Sequence, residues 1–175
     1  AISHGDDVTK WDSVLIPYER RLAPSFAETT VHTNCNTVLA VIRGGCNVAW
    51  ISVSKDFVRT WSTAGPSNFP MPRAKAYFGR LSTGQYYRIS NLVNRDTLVI
   101  SVGNRIEMTL QKMWRVQHGR STHPRFPGTA KGKQWSYPYG YEHDGKLYIV
   151  YSVGKEECGL SVLDIAYLTV DCASP

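Results

Sequence analysis

The length, composition and charge of the chain exclude several classes of protein. Its 175 residues are 42% hydrophobic and 19% charged, which allows one domain with a sizeable core. No apolar run approaches the ~20 residues that a membrane-spanning helix needs. The net charge of +6 comes from basic residues that are scattered rather than clustered in a run. This balance favours an anionic partner, and the scatter favours an acidic sugar over nucleic acid.

In chain order, the sequence predicts strands throughout and no helix. Short runs rich in β-formers recur, among them ten Tyr and five Trp, and no apolar stripe at helical spacing lasts three turns. Asp144-Gly145 predicts a hairpin, because Asp-Gly tolerates the positive φ of a type I′ turn. Two stretches rich in Pro and Gly, Ala64–Arg73 and Arg115–Lys133, are expected to be long loops. The predicted strands are Ser13–Ile16, Thr29–Thr33, Thr37–Arg43, Val48–Ser54, Ala76–Leu81, Tyr86–Asn91, Thr97–Val102, Met113–Gln117, Tyr137–Glu142, Lys146–Ser152, Leu160–Ile165 and Tyr167–Val170.

A weak internal repeat organises these strands. Residues 36–43, 84–91 and 145–152 each begin with a turn and continue as an apolar strand. Each has further strands on both sides, so the unit is an antiparallel sheet of about four strands and roughly 50 residues, the period of propeller blades. The sequence predicts one all-β domain of three to four such blades, roughly 24–63, 74–118 and 135–171. A β-sandwich would give a comparable number of strands.

The four cysteines and the first residue bear on the cellular compartment. No two cysteines form a CxxC pair, so zinc or thioredoxin chemistry is not expected. The even count, and Ala1 in place of Met, predict a processed, secreted chain with two disulfides. The favoured pairs are Cys35–Cys46 and Cys158–Cys172, each of which brackets one strand; free buried thiols are the alternative. No cofactor is expected, and a structural or catalytic divalent cation is left open.

The most specific local motif lies at residues 54–61, Ser-Lys-Asp-Phe-Val-Arg-Thr-Trp. It resembles the Asp-box, Ser-x-Asp-x-Gly-x-Thr-Trp, of sialidase-like β-propellers, with Val58 at the usual glycine position. An Asp there caps a tight hairpin and the Trp packs beneath it, so Asp56 and Trp61 are expected to support the fold rather than catalysis. The segments 69–91 and 137–156 also resemble this family, and the resemblance extends from about Pro24 to Leu168.

The resemblance implies a set of site residues. True sialidases hold the substrate carboxylate with three Arg and use a Tyr nucleophile paired with a Glu, and an Asp acid. Glu28, Arg43, Arg95 and Tyr137 match stretches that supply such groups, whereas the first Arg and the Asp acid have no counterpart here. Glu156 follows a strand much as a family Glu does. The predicted catalytic residues are Tyr137 and Glu28, and the predicted substrate-binding residues are Arg43, Arg73, Lys75, Asn91, Arg95, Tyr139 and His123.

The length implies an incomplete ring. A sialidase-like propeller has six or seven blades, which need about 300–350 residues at roughly 50 each, and an open stack would expose apolar blade faces. A completing chain is therefore expected, either the N-terminal part of a cleaved precursor or a second copy. The leading function is an exo-acting glycosidase or a lyase on an acidic glycan, such as a sialylated or uronate-linked sugar. A lectin-like binding module and a purely structural half-propeller are the alternatives.

Overall fold

A computed structural model describes residues 1–19, 28–45, 47–104, 110–119 and 124–170 as an all-β chain. These residues form no helix long and apolar enough to cross a membrane. A 3₁₀ helix, Ile165–Leu168, follows β13 at the end of the described chain, and Asp164 caps it by accepting from the backbone N–H of Ala166. The strands are β1 Ile2–His4, β2 Asp7–Asp12, β3 Thr29–Asn34, β4 Thr37–Ile42, β5 Val48–Ser54, β6 Gly65–Pro70, β7 Tyr77–Arg80, β8 Tyr86–Asn91, β9 Thr97–Gly103, β10 Leu110–His118, β11 Trp135–His143, β12 Lys146–Val153 and β13 Glu157–Asp164.

The strands form successive antiparallel sheets in which each strand pairs with its neighbours in sequence. Strands β3 to β6 form blade 1 and β7 to β10 form blade 2, each a four-stranded meander. Blade 3 contains β11, β12 and β13, and β1 pairs with β2 as a separate hairpin. The first strand of each blade contacts the next, β3 against β7 and β7 against β11. The four-stranded antiparallel blades that the repeat predicts are confirmed, and they form an open stack.

Four local predictions were wrong. The predicted loop Arg115–Lys133 begins inside β10, which includes residues 115–118. Part of the predicted loop Ala64–Arg73 is the edge strand β6, which tolerates Pro66 and Pro70 because an edge strand donates hydrogen bonds on one side only. Blade 1 therefore extends to Pro70. The segment Ser13–Ile16 is irregular and is preceded by the unpredicted hairpin β1–β2, and Tyr167–Val170 holds the end of the 3₁₀ helix rather than a strand.

The irregular segment before blade 1 covers one end of the stack. The backbone N–H of Ala64 donates to the carbonyl of Pro17 at 2.7 Å, and Tyr18 forms a parallel bridge with Ala64. Ile16 packs against a buried cluster on blade 1 that includes Trp50 and Ile42. This apolar face is therefore shielded from solvent by the chain itself.

The opposite end of the stack carries an apolar face without a cover among the described residues. Alternate residues of β11, β12 and β13 lie on the side of blade 3 opposite its packed side, and the register places Tyr139, Val150 and Leu160 side by side. The ring of Tyr139 also contacts that of Tyr77 on blade 2, with 4.7 Å between the centroids. Tyr139, Val150 and Leu160 are 54%, 42% and 58% exposed, and Tyr141 and Val162 continue the face in the next row at 60% and 46%. We call this surface the open face. Its composition suits packing against a further blade.

The Asp-box sequence forms the hairpin between β5 and β6. The Asp56 carboxylate accepts from the backbone N–H and hydroxyl of Thr60 at 2.9 and 2.6 Å and from the hydroxyl of Ser54 at 2.9 Å. These bonds, chiefly that from the Thr60 hydroxyl, lower the pKa of Asp56 to about 2. Val58 takes the left-handed conformation that the usual glycine would take, with φ +65°. Trp61 packs on the buried cluster of blade 1, so the motif has a structural role.

The disulfide prediction stays a prediction. Cys35 and Cys158 are exposed and carry free thiols in this structure. Their expected partners, Cys46 and Cys172, lie outside the described residues.

Candidate active site

The first pair of predicted site residues lies at the start of blade 1. Glu28 precedes β3 and Arg43 follows β4, and the backbone N–H of Arg43 donates to the carbonyl of Glu28 at 2.9 Å, which extends the antiparallel ladder. Across this ladder, Arg43 Nη1 donates to Glu28 Oε2 at 2.7 Å. The arginine side chain is 10% exposed and the glutamate side chain 33%. Low exposure and a charge-assisted bond fix the guanidinium in place.

The second pair joins blades 2 and 3. Arg95 lies in the turn between β8 and β9, where Nη1 donates to Gln134 Oε1 at 2.7 Å and Nη2 to the carbonyl of Arg73 at 2.6 Å. Its Cζ lies 5.8 Å from the centroid of the Tyr137 ring. Lys155 Nζ lies 5.7 Å from the same centroid. A tyrosine ring between two cations is a favourable electrostatic setting for the aromatic face.

Tyr137 occupies a distorted position in β11. The register with β12 shifts between Ser136 and Tyr139, as in a β-bulge, and Tyr137 has a φ of +53°. A bulge redirects a side chain out of the regular alternation of a strand, and a non-glycine residue at positive φ stores backbone strain. The side chain is 36% exposed. The bulged backbone therefore places the Tyr137 ring at the surface, beside Arg95.

Arg73 links the two pairs. Its Nε donates to the carbonyl of Gly45, two residues after Arg43, at 2.8 Å, and its own carbonyl accepts from Arg95. Glu28, Arg73 and Tyr137 precede or begin β3, β7 and β11, the first strands of the three blades. The first strands of propeller blades lie side by side around the central channel. The predicted residues therefore lie at the same end of these strands.

The other predicted substrate-binding residues have varied surroundings. Tyr139 is exposed on the open face, with its ring 4.7 Å from that of Tyr77, and Lys75 is half-buried in the segment before β7. Asn91 is fully buried, and its amide donates to the carbonyls of Thr97 and Trp135 at 3.2 and 3.1 Å. That arrangement ties β8 to β11, so we leave Asn91 out of the proposed site. His123 lies outside the described residues.

A basic cleft of 850 Å³ opens beside Arg95. Residues 124–128 and 131–133 line it together with Asn94, Arg95 and Asp96. The carboxylate of Glu156, 8% exposed, holds this loop by accepting from the backbone N–H groups of Arg125 and Phe126 at 2.7 and 2.8 Å and from Lys131 Nζ at 2.9 Å. The Arg125 N–H, followed by Lys131, lowers the pKa of Glu156 to about 2.

Three contributors were not anticipated in these roles. Gln134 orients Arg95, Lys155 lies over Tyr137, and Glu156 organises the basic loop. Their sequence signal is weak, because Lys155-Glu156 reads as an ordinary charged turn and Gln134 as part of a loop. Within the described ranges, no group of three or more His, Cys, Asp or Glu could hold a metal ion.

Several solved structures have a fold similar to that of this chain. The intramolecular trans-sialidase from Ruminococcus gnavus, in complex with oseltamivir carboxylate, matches with a TM-score of 0.59 and 13% identity, over 83% of this chain and 34% of that one. A protein of unknown function from Dyadobacter fermentans matches with a TM-score of 0.55 and 15% identity, over 79% and 37%. GH43B of a Bacteroides ovatus xyloglucan PUL matches with a TM-score of 0.50 and 14% identity, over 77% and 25%.

These likenesses concern the fold, and they confirm the sialidase-like propeller architecture. The chain spans a quarter to just over a third of the length of these structures. No curated protein matches the chain. Its sequence does match the model of the BNR repeat-like domain over residues 1–149, which is most of its length. The protein therefore belongs to the BNR repeat-like domain family.

Proposed function

We propose that this chain supplies part of the active site of an exo-acting glycosidase that works on an acidic glycan. The observation that carries the proposal is the placement of Arg95, held by Gln134 and Arg73, over the ring of Tyr137. The Arg43–Glu28 pair lies at the same end of the first strands. Two positioned guanidinium groups suit the carboxylate of a sialic or uronic acid, which arginine binds with two parallel hydrogen bonds.

The proposed chemistry assigns a role to each residue. The Tyr137 hydroxyl oxygen attacks the anomeric carbon, the bond from that carbon to the leaving oxygen breaks, and the phenolic proton passes to Glu28. A phenol needs such a base because its ordinary pKa is near 10. The leaving oxygen takes a proton from an acid in another segment of the propeller, and water then releases the sugar from Tyr137.

Glu28 has to move for this proton transfer. Among the described residues its carboxylate bonds to Arg43, and no hydrogen bond joins it to the Tyr137 hydroxyl. Catalytic hydrogen bonds are often long without substrate and shorten in the complex. A substrate carboxylate that binds Arg43 would compete with Glu28 for the guanidinium and release one carboxylate oxygen toward the phenol.

The basic cleft and the open face support the rest of the proposal. Arg125, Lys131 and Lys133 at the cleft would attract an anionic substrate toward Arg95. The open face would pack against a further blade, supplied by the N-terminal part of a cleaved precursor or by a second copy. A secreted location, which the sequence predicts, belongs to the same proposal.

The test is hydrolysis of aryl sialosides and aryl glucuronides by the protein with its completing segment present. Tyr137→Phe should lower kcat at least about 10³-fold, because it removes the nucleophile. Tyr141→Phe is the matched control, an exposed tyrosine on the same strand whose ring stacks on His143 at 6.3 Å, and it should leave kcat unchanged. Arg95→Ala should weaken binding by roughly 2–5 kcal/mol if the ion pair is buried.

Three outcomes separate the alternatives. Full turnover by Tyr137→Phe would refute the nucleophile assignment. Release of an unsaturated uronide, detected by its absorbance, would indicate a lyase rather than a hydrolase. Binding of the acidic sugar without turnover, equal in the parent protein and Tyr137→Phe, would indicate the lectin-like alternative.

A further inference from the structure

The face of blade 2 that meets blade 1 buries an arginine that has no anionic partner in the described chain. Arg88 lies in the middle of β8 and is 2% exposed. Its Nε and Nη1 have no hydrogen-bond partner among the described residues. The neighbour that the structure gives its guanidinium is the ring of Phe69 on blade 1, whose centroid lies 5.6 Å from Cζ. Arg88 takes no part in the proposed active site.

A buried cation with unpaired N–H groups is energetically unfavourable. Withdrawing an ion from water costs several kcal/mol unless hydrogen bonds and an opposite charge compensate it. The burial is strong enough to lower the pKa of Arg88 to about 10. A cation–π contact with Phe69 offsets part of this cost. Within the described part of the chain, the guanidinium therefore has no anion to balance its charge.

A cleft of 470 Å³ reaches Arg88 from the surface. It lies between β6 of blade 1 and β8 to β10 of blade 2, and Lys112 adds a second positive charge to its lining. Ser101 supplies a buried hydroxyl that has no hydrogen-bond partner in the described chain. Asn68 and Gln111 add amide groups, and none of the described lining residues is acidic.

We propose that this cleft between blades 1 and 2 is a second binding site, one that takes the carboxylate or sulfate group of an acidic ligand, with Arg88 as its anchor. The anion accepts from the guanidinium, Lys112 adds attraction at the entrance, and Ser101 donates its unused hydroxyl proton. Bidentate acceptance of N–H bonds by an oxyanion is the geometry that arginine favours. The cleft is large enough for one sugar ring around that group. The site shares no residue with the proposed catalytic set.

The experiment measures the Tm of the full chain in sodium sulfate against sodium chloride at equal ionic strength, and in glucuronate against glucose. A ligand that binds only the folded state raises Tm as its concentration exceeds Kd. Sulfate and glucuronate should each raise the Tm by several degrees at saturation, and glucose should not. In the Arg95→Ala background, which disables the proposed active site, Arg88→Met should abolish the rise and leave the Tm without anion equal or higher, because an unpaired charge is gone. A merely structural Arg88 would instead lower that Tm when replaced.

Matched controls assign the effect to this cleft. Arg80→Met removes an arginine of the same blade that also lies over an aromatic ring, 5.3 Å from the Tyr86 centroid, and should keep the anion response. Arg95→Ala should keep it as well, which separates this site from the proposed active site. Lys112→Gln should weaken sulfate binding a few-fold while the protein stays folded, and this variant tests the proposal if Arg88→Met does not fold.

Two results would overturn the proposal. One is a parent protein whose Tm does not distinguish sulfate from chloride or glucuronate from glucose. Another is an anion response that survives both Arg88→Met and Lys112→Gln in the Arg95→Ala background. A response to sulfate and not glucuronate would restrict the ligand to sulfated groups, and the converse to carboxylates.

Discussion

The two interfaces between blades bury different chemistry. Between blades 2 and 3, Ile89, Leu98 and Ile100 meet Leu147 and Ile149, all with no exposed surface, in one apolar cluster. Between blades 1 and 2, the side of blade 1 is mainly apolar, with Leu39 and Val41 among its buried residues. The facing side of blade 2 carries buried polar residues with unpartnered atoms: Tyr86, Arg88, Ser90 and Ser101, together with His32 from β3.

The difference distinguishes an interface suited to stable packing from one suited to binding a ligand. An apolar interface gains stability from every methylene that leaves water, and its close fit leaves no space for a ligand. Buried hydroxyl and guanidinium groups without partners weaken an interface. More of these groups lie at the junction of blades 1 and 2 than at the junction of blades 2 and 3, where Asn91 and Ser136 also have unpartnered atoms. This excess indicates a place where specificity for a ligand outweighs stability. The following predictions test this contrast, from the largest expected effect to the smallest.

Ile149→Ala should cause the largest loss, about 3 kcal/mol in the free energy of unfolding, because it leaves a cavity at the centre of the apolar interface. Val150→Ala, its neighbour on the same strand but on the open face, should cost well under 1 kcal/mol in the chain by itself. Urea unfolding of both variants measures the difference. Equal losses would contradict the assignment of the two faces.

Gly140→Ala should cost about 1–3 kcal/mol by overpacking the same interface. A Cβ at this position of β11 would lie 2.8 Å from Tyr87 Oη and 3.1 Å from Ile89 Cδ1 on blade 2. Gly132→Ala is the control, since no atom outside its chain neighbours lies within 4 Å of its added Cβ. Thermal unfolding should show a Tm several degrees lower for Gly140→Ala and unchanged for Gly132→Ala. An unchanged Tm for Gly140→Ala would contradict the close packing of the interface between blades 2 and 3.

Ser90→Ala should raise the free energy of unfolding by up to about 0.5–1 kcal/mol, because it removes a buried hydroxyl that has no hydrogen-bond partner among the described residues. Ser52→Ala offers the opposite case at equal burial. Its hydroxyl donates to the carbonyl of Ser62 at 2.6 Å, so its loss should destabilise by about 1 kcal/mol. Changes of opposite sign in the free energy of unfolding, measured with urea, would support the distinction between unpaired and paired hydroxyls. A loss of stability in both variants would count against it.

The smallest expected effect is a pH dependence at the polar interface. Burial, and then the charge of Arg80, lower the pKa of His32 below its ordinary value of 6.5, and Nε2 has no hydrogen-bond partner in the described chain. The unfolded chain then binds the proton more readily, so stability is full above pH 6.5 and falls as the pH drops below it. His32→Phe, which keeps an aromatic edge against Tyr86, should flatten the unfolding free energy between pH 7.5 and 5. If the unfolding free energy of His32→Phe and of the parent protein fell with pH at the same slope, a group other than His32 would cause the dependence.

Much of the fold and part of the site could be predicted from the order of residues. Turn signals such as Asp144-Gly145 and the alternation of apolar residues are local, and β11 and β12 pair around that turn as predicted. The Glu28–Arg43 pair is also close to local, because two antiparallel strands joined by a short turn place them opposite each other. The strand β6 was missed because prolines in a sequence normally indicate a loop. They are tolerated in β6 because it is the edge strand of blade 1, which is known only from the tertiary structure.

The sequence by itself determined most of the strands of the three blades, the Asp144-Gly145 hairpin, the Asp-box and the family resemblance, because each depends on residues a few positions apart. Only the tertiary structure decided which side of β8 meets which blade, and therefore that Ile89 joins an apolar cluster while Arg88 is buried with two N–H groups unpaired among the described residues. It also decided that Gln134 and Arg73 hold Arg95 over Tyr137. Alternation along a strand assigns residues to two faces, but what covers each face depends on contacts between blades that lie far apart in sequence.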